Sequence, residues 1–130
     1  MRGVLVLISV VVAAAALSAC GTEGIDVSSD SSDEVRAGAE LFSERCSGCH
    51  TMKAAGTQGT ANRSQRTQGP NLDQRKETYD DVIYAIANGG FSGAIMPQNI
   101  VVGDEAEAVA RFVEEYSGTD VQDTPRPGQP

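Results

Sequence analysis

Five consecutive residues, Cys46-Ser47-Gly48-Cys49-His50, set two thiols three positions apart with an imidazole directly after the second. That is the C-x-x-C-H pattern by which a c-type haem is attached. Each thiol can add to one vinyl group of a porphyrin, and the adjoining imidazole then meets the iron from the same side. His50 is the only histidine of the chain, so no other imidazole can serve. The same thiol spacing occurs in redox-active dithiols and in half of a zinc site. A dithiol calls for a βαβ setting and a zinc site for a second ligand pair, and the sequence offers neither.

Iron held by His50 either takes a second axial group or stays open. The remaining soft donors are methionines. Met1 belongs to an export signal, and Met52 lies too near His50 in sequence to reach the opposite porphyrin face. Met96, 46 residues beyond His50, is the candidate. Pro97 after it prevents a helix there. Gly89-Gly90-Phe91-Ser92-Gly93 before it can follow a haem edge. The competing reading is a methionine filling a gap in the core, but Met-Pro after a glycine-rich loop is a poor core-helix pattern. A thioether favours Fe(II) and so raises the reduction potential. Two filled axial positions leave no room for substrate, which points to an electron carrier and not an enzyme.

Three helices must position these groups. The first is expected from Glu34 into Cys46, with Val35, Ala39, Phe42 and Cys46 on one face. Ser31 with Glu34 makes a capping box, and Asp33 is a rival cap. The second is expected over Tyr79 to Asn88, capped by Thr78, striped by Val82, Ile83 and Ile86, and stopped by Gly89-Gly90. The third is expected over Glu105 to Tyr116, capped by Asp104, with Val109, Phe112, Val113 and Tyr116 buried. No alternating strand pattern stands out between them. Gly38 beside Phe42, and Val109 beside Phe112, read as the contact of the first and third helices and carry no chemistry.

The ends serve other purposes. Residues 1–19 read as an export signal: Arg2, an apolar run from Val4 to Ala16 broken only by Ser9, then Leu17-Ser18-Ala19-Cys20. The last four resemble the lipobox of bacterial lipoproteins, in which the cysteine is lipidated and becomes the N-terminus. A retained apolar helix is the alternative, at the short limit for a bilayer about 30 Å thick. Either reading puts the rest outside the cytoplasmic membrane and anchored to it. Haem and lipid together then use all three cysteines, Cys20, Cys46 and Cys49. Residues 20–33 read as a lipidated cysteine and a flexible acidic tether with a reach of roughly 20 Å. Residues 34–118 form the one folded domain, and 119–130 a disordered tail.

After the signal, 111 residues remain, with nine basic and eighteen acidic side chains and no tryptophan. This acidity argues against nucleic-acid binding. Bases cluster at Lys53, Arg63, Arg66, Arg75 and Lys76, against Asp73 alone in that stretch. Such asymmetry can steer docking to an acidic partner, though charge runs are usually just a solvated face.

The ordered set Gly38-Ala39-Glu40-Leu41-Phe42, the CSGCH motif, Gly69-Pro70-Asn71-Leu72, Ile86-Ala87-Asn88-Gly89, Met96-Pro97 and Val109-Ala110-Arg111-Phe112-Val113 resembles the class I c-type cytochromes. These are the small monohaem, His/Met-ligated family. The resemblance implies an all-α fold wrapped on one covalent haem c, with terminal helices crossing at Gly38/Phe42 and Val109/Phe112. It implies that the Pro70 carbonyl meets the other nitrogen of His50 and that Leu72 packs against the haem. Gly-Pro-Asn also reads as a plain turn. The loop from Met52 to Thr67 is longer than in compact members. The expected function is a one-electron carrier tethered by lipid to the membrane. Its partners would be an electron donor and an electron acceptor, with no small-molecule substrate. A fixed haem subunit of a larger oxidoreductase and a haem-based small-ligand sensor are the alternatives.

Overall fold

All three expected helices are present in the computed structural model, which describes residues 24–59, 69–90 and 96–121. They are α1 (Asp33–Arg45), α2 (Tyr79–Asn88) and α3 (Asp104–Tyr116). The fold is the expected small, mainly helical one. Among the described residues no helix is long and apolar enough to cross a membrane.

Local chemistry sets the helix ends. Thr78 caps α2 as expected, its hydroxyl accepting from the Asp81 N–H. Gly89 closes that helix in the left-handed region, at φ 78°, and donates its N–H to the Ala85 carbonyl. The other two caps differ from expectation. Ser32, not Ser31 or Asp33, caps α1 by accepting from the Val35 N–H. Ser31 is taken elsewhere: its hydroxyl contacts Tyr116 Oη at 2.7 Å and Glu115 Oε1 at 3.1 Å. Gly103 opens α3 without a side-chain cap. Asp104 instead joins Glu105 and Glu107 in the first turn, where acidic charge complements the helix dipole.

The apolar stripes meet in one core. Val35, Ala39 and Phe42 of α1, Ile86 of α2, and Val109, Phe112 and Val113 of α3 are buried together with Met52, Leu72 and Val101. α1 and α3 cross where expected. A Cβ on Gly38 would drive into the Ala108 carbonyl and stand 2.9 Å from the Phe112 Cβ, so only glycine allows this approach. Phe42 and Phe112 meet edge to face with centroids 5.8 Å apart. On the other flank, Arg111 of α3 lies 4.3 Å over the Tyr79 ring of α2.

One element was not expected. Thr51–Met52 (β1) pairs antiparallel with Thr57–Gln58 (β2), around a 3₁₀ turn at Lys53–Ala55. Two residues per strand are too few for an alternating pattern to show in sequence. The flanks of the domain are also more tightly held than their composition suggests. Asp26 N–H donates to the Ala54 carbonyl at 2.9 Å and Ser28 N–H to Tyr116 Oη at 2.9 Å. Arg36 Nη2 donates to the Ser28 and Ser29 carbonyls. The stretch read as tether is therefore strapped to the domain from Asp26 onward. Likewise Asp120, read as tail, donates its N–H to the Asp73 carbonyl. Segments with polar composition are ordered here because long-range partners satisfy their backbone, and composition alone does not reveal those partners.

Candidate functional site

α1 delivers the first thiol. Cys46 ends the helix, its N–H on the Phe42 carbonyl at 2.8 Å. The chain then turns tightly, with Cys49 N–H and His50 N–H both donating to the Cys46 carbonyl. Cys46, Cys49 and His50 thus share one turn, and each is partly buried. Neither cysteine is in a disulfide.

His50 is oriented from a second stretch of chain. Its Nδ1 lies 3.1 Å from the Pro70 carbonyl oxygen. A carbonyl only accepts, so Nδ1 carries the proton and Nε2 keeps its lone pair. Alongside, Gly69 N–H donates to the Cys49 carbonyl at 2.8 Å, and Thr51 and Asn71 form a parallel bridge. Gly69 is packed on the imidazole: a Cβ there would stand 2.5 Å from Cε1 and 2.8 Å from Nε2. Phe42 approaches from the core, ring centroids 6.2 Å apart. Thr57 Oγ1 donates to the His50 carbonyl.

The electrostatics suit a neutral metal ligand. Burial lowers the His50 pKa from 6.5, partly opposed by the Pro70 hydrogen bond and the charge of Glu77. The ring is therefore neutral at pH 7, as an iron ligand must be. Burial, with Cys49 nearby, pushes the Cys46 thiol up to about 11. A redox dithiol needs the opposite, a thiol activated by a lowered pKa. Two neighbouring thiols and an imidazole with a free Nε2 fit the donor set of a covalently attached haem. Among the described residues no three acidic, thiol or imidazole side chains gather as a metal site of another kind.

The other predicted residues are placed as follows. Leu72 is buried in the core, and its carbonyl accepts from the Gly118 N–H. Met96 packs, partly buried, against the core just beyond α2. Its carbonyl would crowd a Cβ on Gly89, at 2.7 Å. Met52 is fully buried, which leaves it out of consideration as a ligand. Cys20, Arg63, Arg66 and the segment 91–95 lie outside the described residues. Of the clustered bases, Lys53 pairs with Asp120 at 2.6 Å and Arg75 with Glu77 at 2.7 Å. Lys76 donates to the Glu114 carbonyl. Much of that positive charge is thus met locally.

Sequence reasoning assigned no role to Gly69 or Asp73. For Gly69 the signals were a glycine before a proline and its place in the Gly69-Pro70-Asn71-Leu72 stretch. Asp73 stood out only as the lone acid of a basic stretch, which gave no sign of burial.

Residues 33–113 match the model of the family described as cytochrome c oxidase, cbb3-type, subunit III. No curated protein matches significantly. Among solved structures, the c-type cytochrome SorU from Sinorhizobium meliloti is 36% identical, with a TM-score of 0.53. The match covers 66% of this chain and 93% of that one.

Proposed function

This chain belongs to the cytochrome c oxidase, cbb3-type, subunit III family, and on that premise we propose that it is a monohaem electron carrier held to the membrane by a lipid on Cys20. As a c-type cytochrome it transfers electrons to and from redox proteins and carries covalent haem c. Bacterial members of this class work outside the cytoplasmic membrane. The finer assignments are ours. Cys46 and Cys49 form the two thioethers, and His50 and Met96 hold the iron. Pro70 orients His50, and Leu72 lines the haem pocket.

The observation that carries the reading is the Cys46–His50 turn with Nδ1 on the Pro70 carbonyl. That hydrogen bond fixes the tautomer, aims Nε2 away from Pro70 and raises the basicity of the ring. The bound haem supplies one-electron Fe(III)/Fe(II) chemistry. The chain's own part would be to hold the iron through two fixed donors, His50 and Met96, so that oxidation state changes with little movement, and to keep the site from opening to substrate. Met96 supports this role by lying on a segment stiffened by Pro97.

The test is an optical spectrum of the full chain made with a haem-attachment system, oxidised, reduced, and reduced under carbon monoxide. The expected result is a low-spin reduced spectrum unmoved by carbon monoxide, and a weak far-red sulfur-to-iron band when oxidised. Met96→Ala should abolish that band, admit carbon monoxide and lower the potential. Ready carbon monoxide binding by the unaltered chain would favour a ligand sensor. The family's name, that of an oxidase subunit, supports a second reading as a fixed haem subunit. Co-purification of a larger complex after mild detergent extraction would select it.

A further inference from the structure

Asp73 is almost wholly buried, at 1% exposure, yet it carries a carboxylate. Its Oδ1 accepts the Lys53 N–H at 3.0 Å, and its Oδ2 has no hydrogen-bond partner among the described residues. Burying a carboxylate with a lone pair unmet is costly, so its one strong bond merits a reason. Around it the backbone is fully engaged. Asp73 N–H donates to Asn71 Oδ1 at 2.9 Å, and its carbonyl accepts from Asp120 N–H at 2.8 Å.

The position of that bond supplies the reason. The stretch from Cys49 to Lys53 runs beside the stretch from Gly69 to Asp73. They are joined at one end by Gly69 N–H on the Cys49 carbonyl, and at the other by Asp73 Oδ1 on the Lys53 N–H. His50 and Pro70 lie between the two joints, with the bridge of Thr51 and Asn71. The Asp73 bond closes the far end of this pairing, beyond the Thr51–Asn71 bridge, and so keeps the two stretches from splaying apart there. Resting on the reading of His50 as the axial ligand, we infer that Asp73 is a positioning residue. It clamps the two stretches so that the Pro70 carbonyl stays in line with His50 Nδ1, and it thereby tunes the ligand strength of the imidazole.

The clamp acts through a hydrogen bond and not through charge, and four variants separate the two. Asp73→Ala removes the acceptor. Asp73→Asn removes the charge and keeps an acceptor oxygen. Lys53→Pro removes the donor and leaves the carboxylate. It fits sterically, because Lys53 opens a 3₁₀ turn and Met52 is extended at φ −159°, ψ 111°, as a residue before proline must be. Lys53→Ala is its control for the lost pair with Asp120.

The experiment uses the full chain loaded with haem. It reads the reduction potential and, by NMR, the solvent exchange of the His50 Nδ1 proton. Asp73→Ala and Lys53→Pro should each raise the potential and speed exchange about tenfold, the scale of one hydrogen bond. Asp73→Asn and Lys53→Ala should stay near wild type in both. If Asp73→Asn moves the potential as far as Asp73→Ala while Lys53→Pro does nothing, the effect is charge and the clamp is wrong. No change in any variant also overturns it. Should Asp73→Ala fail to fold, Lys53→Pro and Asp73→Asn still decide the matter. A wild-type chain without covalent haem would overturn the ligand reading and the clamp together. A normal wild type with unmoved variants overturns the clamp alone.

Discussion

His50 and Met96 are fixed in contrasting ways. The histidine is gripped from several separate parts of the chain: Phe42 from α1, Gly69 on the ring face, and Pro70 on Nδ1. The segment of Met96 is held by the last turns of one neighbouring helix. Asn99 N–H donates to the Ile86 carbonyl, Gln98 Nε2 donates to the Asn88 carbonyl, and Gly89 lies against the Met96 carbonyl. One side is set by tertiary packing, and the other by where α2 stops. The histidine should therefore stay put until the fold yields, whereas the methionine should loosen when α2 frays.

The largest effect should come from Gly69→Ala. The added methyl would stand 2.5 Å from the imidazole, and neither the backbone nor the pinned ring can retreat cheaply. A cost of about 2–3 kcal/mol is expected, read as a lower urea midpoint together with a perturbed iron spectrum. Wild-type values would show that the histidine side is looser than its contacts suggest.

Gly89→Ala probes the other side. At φ 78° a Cβ is strained, and it would also press on Met96 O. Roughly 1–2 kcal/mol should be lost. The discriminating readout is carbon monoxide: this variant should bind it more readily when reduced, with the His50 Nδ1 proton unchanged. A change on the histidine side instead would erase the contrast.

The smallest effect is pH-dependent and belongs to the histidine alone. Burial holds the His50 pKa below 6.5, so in acid the unfolded chain binds more protons at this ring than the folded one. Stability is intact above about pH 6.5 and falls as pH drops toward the folded value, by at most about 1.4 kcal/mol per unit. Iron ligation acts in the same direction. Because the chain has a single histidine, urea midpoints between pH 7 and 5.5 report chiefly this group. A flat profile there would mean that His50 is not held neutral by the fold.

How legible each side was in sequence follows the same division. α2 and its flanks were readable, since Thr78, Gly89 and the stripe ending in Ile86 act within a few residues of one another. The crossing of α1 and α3 was readable through Gly38 and Phe42, which carry their own size signal. The grip on His50 was not readable from residues alone. The Pro70 contact came only from family resemblance, and Gly69 and Asp73 act across about twenty residues, where no periodicity speaks. Ser32 displaced Ser31 as cap because Tyr116, 85 positions away from Ser31, claims the latter's hydroxyl. Local chemistry shows in a sequence, and contacts closed by long loops do not.

The strap from Asp26 to Ser31 alters the geometry of anchoring. With a lipid on Cys20, thirteen fully extended residues would let the domain roam roughly 45 Å from its attachment point. Since Asp26 is already bonded to Ala54, six Cα steps would separate such a lipid from Asp26, at most roughly 21 Å. A leash half as long sweeps about a quarter of the membrane area, and it concentrates the domain near whatever shares that patch. A carrier anchored in that way would be less a ferry crossing the bilayer surface than a swinging gate, its post set beside the partners it connects.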